Sequence, residues 1–455
     1  MKITFCGGAQ VVTGVNYLLE TKRHKFLVDC GLFQGTRKME KKNKEPFPYD
    51  PKKIDFVLVT HSHLDHIGRL PRLIKEGFSG KIYLTPPTAD FTKIMLEDSL
   101  KLLEEKAAHA GVILPFTEQD ITEITGLFEP KEYSQWFEPV KGISVCFRDA
   151  GHILGSAIIE IKIENNKNKP IKLIFSGDLG NYPVPILKDP SIIEDADYVF
   201  IESTYGDRNH ESEKQCKDML EDIIEEAIKN KGVLMIPSFA LERSQQLLYH
   251  LNEIIENHRV SQLPIFFDSP LAIKATEIYK YHRKYFDKEA IDLINSGDDL
   301  FRFPGLKFIS SVKESKKIVQ VLPPKIIIAG SGMSQGGRII HHEALYLSDP
   351  QNILLFISYQ AKGTLGRLIK DGVRKVRIID QIVPIRAKIR AIEAYSAHAD
   401  QNGLIKWLSY FIKPVKKIFI VQGEEEPAKA LARRIMDELG ILAEVPQIGQ
   451  ISQLS

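Results

Sequence analysis

The sequence is poor in cysteine. Cys6, Cys30, Cys146 and Cys216 are scattered over 455 positions, and none belongs to a CxxC pair. That spacing excludes a disulfide-built fold and a zinc ribbon, and leaves four reduced thiols packed as small apolar side chains. Long apolar runs are missing as well. Nothing approaches the roughly 18 residues of a membrane span, and the N-terminal MKITFCGGAQ has no secretory apolar stretch. Charge of one sign is also absent, since 61 Lys+Arg balance 59 Asp+Glu to a formal +2. A global pull toward nucleic acid or membrane is thereby excluded, so any polyanion site must be a local patch. Apolar residues at 43% and charged residues at 26% rule out a disordered or fibrous chain. The expectation is a soluble cytoplasmic protein with no membrane partner.

At about 150 residues per domain, the length suggests two or three domains. The first two hundred residues read as short β-branched or aromatic strands bounded by Gly, Asp, Asn or Pro, among them Lys25–Asp29, Phe56–Thr60, Ile171–Ser176 and Tyr198–Glu202. Helical patterns cover Ile67–Glu76 and Thr88–His109, and Asn165–Pro170 reads as a polar hairpin tip. Near residue 208 strands begin to alternate with helices, the mark of a parallel α/β layer. A helix is predicted to start at the Ser238 N-cap signal, and another runs over Ala272–Tyr285. From about Arg386 the chain resembles its first region again. The reading is an α/β protein with one domain inserted in another: 1–207 and 386–455 form the first, 208–385 the insert. Neither a nucleic-acid module before the first strand nor a further domain after the last helix is expected.

The strongest local signal is His61-Ser62-His63-Leu64-Asp65-His66, between an apolar strand and a helix. Three imidazoles and a carboxylate within six residues can converge on one point, and neutral imidazole is a ligand for transition metals. One turn cannot enclose two ions, so further ligands must come from elsewhere. His152 lies in the Gly-flanked turn DAGHILGS. Asp178 ends an apolar strand in IFSGDLG, placed to bridge two cations, and Asp29 ends another in FLVDCG.

An Asp at a strand end, HxHxDH, a later His and a later Asp together resemble the metallo-β-lactamase fold, an αββα sandwich. IESTYGD, PSFALERSQQLL, DSPLA, SGMSQGGR and AYSAHAD are similar to its β-CASP branch, the RNA- and DNA-cleaving nucleases, over residues 2 to 440 or so. The resemblance implies that His61, His63 and His152 hold one zinc, that Asp65 and His66 hold a second, and that Asp178 bridges them. Asp29 would orient a ligand histidine. Glu202 matches the first β-CASP motif and His398 the second. His398 would protonate the leaving oxygen, with Glu202 on its other nitrogen, and Asp65 joins them among the catalytic residues. Two cations roughly 3.5–4 Å apart suit in-line attack of activated water on a phosphodiester.

One position departs from the family pattern. Where the third β-CASP motif carries a histidine before Gly-Glu, this chain has Gln422, and His398 is the last of its 13 histidines. A neutral amide oxygen is a weaker zinc ligand than imidazole. The second site is therefore expected to be the weaker, with Mn²⁺ able to compete. Family members acting on RNA favour Glu at the first motif, as at Glu202, and those acting on DNA favour Asp. The resemblance thus favours hydrolysis of single-stranded RNA, by internal or 5′-end cleavage, over a DNA nuclease. A catalytically weakened RNA-binding subunit is a rival reading, because of Gln422. A small-molecule hydrolase is another, against which the β-CASP motifs argue. A homodimer is counted among the partner readings.

SGMSQGGR follows a strand and opens a helix. Gly332, Gly336 and Gly337 permit close backbone approach, and their N–H groups, Ser331 and Arg338 would form an anion site for the RNA backbone. Arg243, on the helix of ALERSQQLL, is read as facing the same groove.

Overall fold

The computed structural model describes residues 1–110, 114–165, 169–210, 213–361, 363–392 and 395–455. The predicted tip at Asn165–Pro170 lies partly outside the described residues. The chain divides into two compact units. The first comprises Met1–Tyr182, Lys188–Asn209 and His398–Ser455, the second Pro183–Leu187 and His210–Ala397.

In the first unit, seven strands form one sheet, in which Lys2–Gly7, Asn16–Glu20 and Lys25–Val28 are antiparallel neighbours. Phe56–Leu58, Lys81–Leu84 and Phe128–Pro130 then continue it in parallel from Lys25–Val28. A second seven-stranded sheet runs from Trp136–Val140 through Ile143–Asp149, Ala157–Ile163, Ile171–Phe175, Tyr198–Glu202 and Lys417–Val421 to Ala443–Glu444. The period-two alternation of these strands explains the layers. Phe26, Val28, Phe56 and Leu58 meet Phe175, Phe200, Phe419 and Val421 between the sheets. The intervening Leu27, Val57 and Val59 face the helix residues Leu70, Leu73 and Leu96. On the far side Ile174, Val199, Ile201, Ile418 and Ile420 face Leu404, Trp407, Leu431 and Ile435. Each sheet has one helical face and one shared face, which is the αββα sandwich the resemblance implied. Short strands with weak apolar patterns, such as Phe128–Pro130 and Ile451–Gln453, are not legible in sequence.

The second unit has a six-stranded parallel sheet with Val233–Pro237, Ile265–Asp268, Lys325–Ala329 and Ile353–Phe356 at its centre. These strands are buried on both faces and read as continuous apolar runs. Lys388–Ala391, expected from sequence to be part of the returning segment, pairs in parallel with Ile353–Phe356 and belongs to this sheet; residues 393 and 394 lie outside the described residues.

Three predicted helices differ, and of these Ala272–Tyr285 is the helix Pro270–Tyr281 followed by a separate turn, Arg283–Tyr285. Ile67–Glu76 is two pieces, Leu64–Ile67 and Leu70–Lys75, because Pro71 starts a new helix. The helix predicted from Ser238 begins at Arg243. Glu242 sits at φ 62°, ψ −58° and the Arg243 N–H bonds the Leu241 carbonyl, a γ-turn of the rarer hand that interrupts the helix. The Ser238 hydroxyl pairs with that of Ser244 and caps nothing.

Candidate active site

All the metal-site candidates fall on the first unit, at the carboxyl ends of strands. Asp29 follows Lys25–Val28, His61 follows Phe56–Leu58, Asp178 follows Ile171–Phe175, Glu202 ends Tyr198–Glu202, and Gln422 follows Lys417–Val421. Strand ends on neighbouring parallel strands bring side chains of distant sequence to one rim. The Asp29 turn is laid directly on the histidine loop: the Cys30 N–H bonds the His66 carbonyl at 2.7 Å and Leu32 N–H the Leu64 carbonyl at 2.9 Å. Gly31 permits this approach, since a Cβ there would stand 1.5 Å from the Asp65 carbonyl oxygen.

Four donor atoms converge. His61 Nε2 and His63 Nδ1 are 3.0 Å apart, and His152 Nε2 is 3.2 Å from His63 Nδ1. Asp178 Oδ2 lies 3.4 Å from both His61 Nε2 and His152 Nε2. A tetrahedral zinc with ligands at about 2.0–2.1 Å has edges of about 3.3–3.4 Å. The donor set is thus close to the size of such a coordination shell, and it is buried except for His63, which is partly exposed. Burial first, then the neighbouring imidazoles, hold His63 and His152 well below the ordinary histidine value. Three imidazoles and a carboxylate turned on one point are a ligand set of the kind transition metals take, and these residues fit a metal.

Thr60 organises this set, a role the sequence reading missed. Its N–H and hydroxyl both donate to Asp29, at 2.8 Å each. With its proton committed, the Thr60 Oγ accepts from His61 Nδ1–H at 3.1 Å, which turns His61 Nε2 toward the other ligand atoms. The signal available is its place directly before His61 at a strand end. Asp29 Oδ2 also receives His66 Nδ1–H at 2.7 Å, so Asp29 fixes His66 as a positioning residue.

His66 Nε2 points at Asp178 Oδ1, 3.3 Å away, with Asp65 Oδ2 at 3.9 Å. Burial opposes the His66 cation, but the charges of Asp178 and Asp29 prevail and raise its pKa well above the ordinary value. Asp65 is pushed up, chiefly by burial. The side-chain amide of Gln422 stands between the two groups, donating to Asp178 Oδ1 and lying 3.2 Å from His66 Nε2.

Asp178, Glu202 and His398 form a second cluster, with one ligand atom from each within 4.8 Å of the others. His398 Nδ1–H donates to Glu202 Oε2 at 2.9 Å, and Glu202 Oε1 also accepts the Leu179 N–H at 2.7 Å. The His398 ring lies 4.6 Å from that of His152, centroid to centroid. Burial would lower the His398 pKa; the Glu202 and Asp178 carboxylates outweigh it and push it up to about 9. This is a cationic imidazole, 21% exposed in its side chain, next to the donor set.

The anion-site candidates all lie on the second unit, and the structure engages them differently from the expectation. The Arg338 guanidinium turns inward to Asp268 at 2.6 Å and to the Ile309 and Ser310 carbonyls at 2.9 Å each. Asp268, wholly buried, needs that charge together with His342 and Ser315. Arg243 is 4% exposed and donates to Gln246 and to the Tyr395 carbonyl. In the glycine loop the Ser331 N–H bonds Gly336 O, and the Ser331 hydroxyl accepts the Gln335 N–H at 3.1 Å. Gly332 lies under the Phe239 ring, Gly336 faces open space, and Gly337 takes φ 65°. The loop therefore satisfies much of its own polarity.

Fold and donor set together define a metal-dependent hydrolase of the metallo-β-lactamase superfamily. The superfamily's model matches residues 10–142, the Beta-Casp domain model 244–369, and the Zn-dependent metallo-hydrolase RNA specificity domain model 382–446. The chain belongs to the β-CASP branch: it is 39% identical over 433 residues to Ribonuclease TTHA0252 of Thermus thermophilus, covering 95% of each chain. It is 31% identical to an RNase J-like protein of Methanocaldococcus jannaschii, covering 99% of each. It is 29% identical to the transcription termination factor FttA of Methanosarcina mazei, over 97% of this chain and 70% of that one. A solved Enterococcus faecalis protein of unknown function shares the fold at a TM-score of 0.57 and 13% identity, with 100% of this chain and 99% of that one covered. No helix among the described residues is long and apolar enough to cross a membrane.

Proposed function

We propose that the chain is a zinc-dependent ribonuclease that hydrolyses phosphodiester bonds of single-stranded RNA. The observation that carries the reading is the pairing of a four-donor cation site with a carboxylate-held histidine beside it. His61, His63, His152 and Asp178 would hold the metal. Bound there, a zinc ion supplies Lewis acidity toward a phosphoryl oxygen and a nucleophile at neutral pH. The chain's own contribution is orientation and proton handling. Asp29 and Thr60 fix the tautomers of His66 and His61. Glu202 keeps the proton on His398 Nδ1, so the opposite nitrogen can deliver a proton to the departing ribose oxygen. The substrate class is supported by the relatives named ribonuclease and by the RNA specificity model over 382–446.

The test is cleavage of a 5′-labelled single-stranded RNA by zinc-loaded protein, beside DNA of the same sequence. Expected is cleavage of RNA, abolished by chelation, and reduced about 10²–10⁴-fold in His398→Ala with zinc content unchanged. The product ladder separates internal from 5′-end cleavage. Preference for the DNA strand would overturn the substrate assignment. Full activity of His398→Ala would overturn the proton donor.

A further inference from the structure

Gln422 ends the strand Lys417–Val421 with its backbone fixed on both sides. Its N–H bonds the Gly8 carbonyl at 2.8 Å, while its carbonyl accepts from Ser203 N–H at 3.3 Å and from the Thr204 hydroxyl at 3.1 Å. The residue takes φ 49° and is 3% exposed. Gly423 behind it admits no side chain, since a Cβ would stand 2.1 Å from the Ser203 hydroxyl. The starting direction of the Gln422 side chain is therefore set by the fold, and its amide is held by Asp178 and His66.

That direction carries the amide NH₂ into the place where Asp178 Oδ1 and His66 Nε2 approach each other to 3.3 Å. One NH₂ has two protons, and two acceptors surround it. With His66 neutral, its Nδ1–H goes to Asp29, so Nε2 offers a lone pair to the second amide proton. With His66 cationic, its own Nε2–H takes Asp178 Oδ1, and the amide still bonds the same carboxylate. In neither state does the position offer the converging ligand atoms seen at the donor set of His61, His63, His152 and Asp178. A cation entering here would have to break the amide bond to Asp178. In return it would gain at most the amide oxygen, a poorer zinc ligand than imidazole. Asp65 stands further off, 3.9 Å from His66 Nε2, and draws nothing into place.

We propose that the Gln422 amide closes the second metal position, and that the chain works with one metal ion, held by His61, His63, His152 and Asp178. The inference rests on the metal-centre reading above. It replaces the sequence-based expectation of two zinc sites with one filled site and one hydrogen-bonded plug. Asp178 then serves two partners of different kind, the metal through Oδ2 and the amide through Oδ1.

The experiment counts metal and does not read activity. Protein stripped with chelator is reloaded with excess Zn²⁺, passed through a desalting column and assayed by atomic emission. One zinc per chain is expected for the wild type and two for Gln422→His. Gln422→Glu, which keeps the side-chain length and supplies a carboxylate, is the second variant should the histidine fail to fold, and is also expected to hold two. Two equivalents in the wild type would overturn the plug and leave the metal-hydrolase reading intact. One equivalent in the wild type and in folded forms of both variants would show that Gln422 does not set the count, and would also overturn it. No bound zinc in the wild type would remove the metal centre itself, and this inference with it.

Discussion

The histidine loop at 61–66 and the glycine loop at 331–338 are built alike. Each leaves the carboxyl end of a parallel strand, turns, and enters a helix. They differ in where their polar groups point. In the first, His61 and His63 turn ring nitrogens toward His152 and Asp178 at 3.0–3.4 Å, so that four ligand atoms share one point. In the second, Ser331 bonds its own loop, Ser334 bonds Glu343 at 2.5 Å, and Arg338 bonds Asp268. A loop that gathers ligand atoms at one point suits a cation. A loop that has answered much of its own polarity is a structural clamp.

Four substitutions sharpen or break that contrast. His152→Ala removes a lone pair from the histidine loop's donor set. It is expected to abolish zinc retention and reduce cleavage by about 10⁴-fold, several kcal/mol of transition-state stabilisation. Retained metal and activity, measured on the same preparation, would dissolve the contrast. Arg338→Ala tests the other side. It leaves Asp268 buried without its guanidinium and is expected to lower the unfolding free energy by roughly 3–5 kcal/mol, read by denaturant titration. Cleavage by the folded fraction should change only a few-fold. The reverse result, a stable protein with weak RNA binding, would return Arg338 to the substrate.

Glu343 gives the glycine loop a pH signature. Burial pushes its carboxyl up to about 8 from an ordinary 4.5, with the Ser334 hydrogen bond opposing. The folded chain then binds more protons than the unfolded chain between these values, so stability falls as pH rises from about 4.5 to about 8. Glu343→Gln is expected to flatten that slope and gain about 4 kcal/mol at pH 8, with little change at pH 4.5, by denaturant midpoints at both pH values. The smallest effect belongs to Asp29→Asn. Loss of the charge that orients His66 and Thr60 should weaken zinc binding about 10–100-fold, measured by competition with a chromogenic chelator.

Much of the first unit is legible in the sequence because β-branched and aromatic runs ending in Gly, Asp, Asn or Pro mark strands directly. The predicted strands Lys25–Asp29, Phe56–Thr60 and Tyr198–Glu202 match the structure almost to their ends for that reason. The helix start expected at Ser238 fails because a favourable capping residue competes with a γ-turn at Glu242 that no local pattern announces. Lys388–Ala391 falls in the other unit because its partner, Ile353–Phe356, is chosen by pairing and not by composition.

Residue identity alone dictates which side chains could bind a metal, since three imidazoles and an aspartate in HxHxDH carry that chemistry wherever they are placed. It also marks Gln422 as the one departure from the family pattern. Which of these residues meet was decided by the folded arrangement. Folding aimed four ligand atoms at one point, turned Arg338 and Arg243 inward, made Thr60 the organiser of the site, and laid the Gln422 amide between Asp178 and His66. Residue type fixes the donors and acceptors a side chain owns, whereas strand register and backbone direction fix which of them meet.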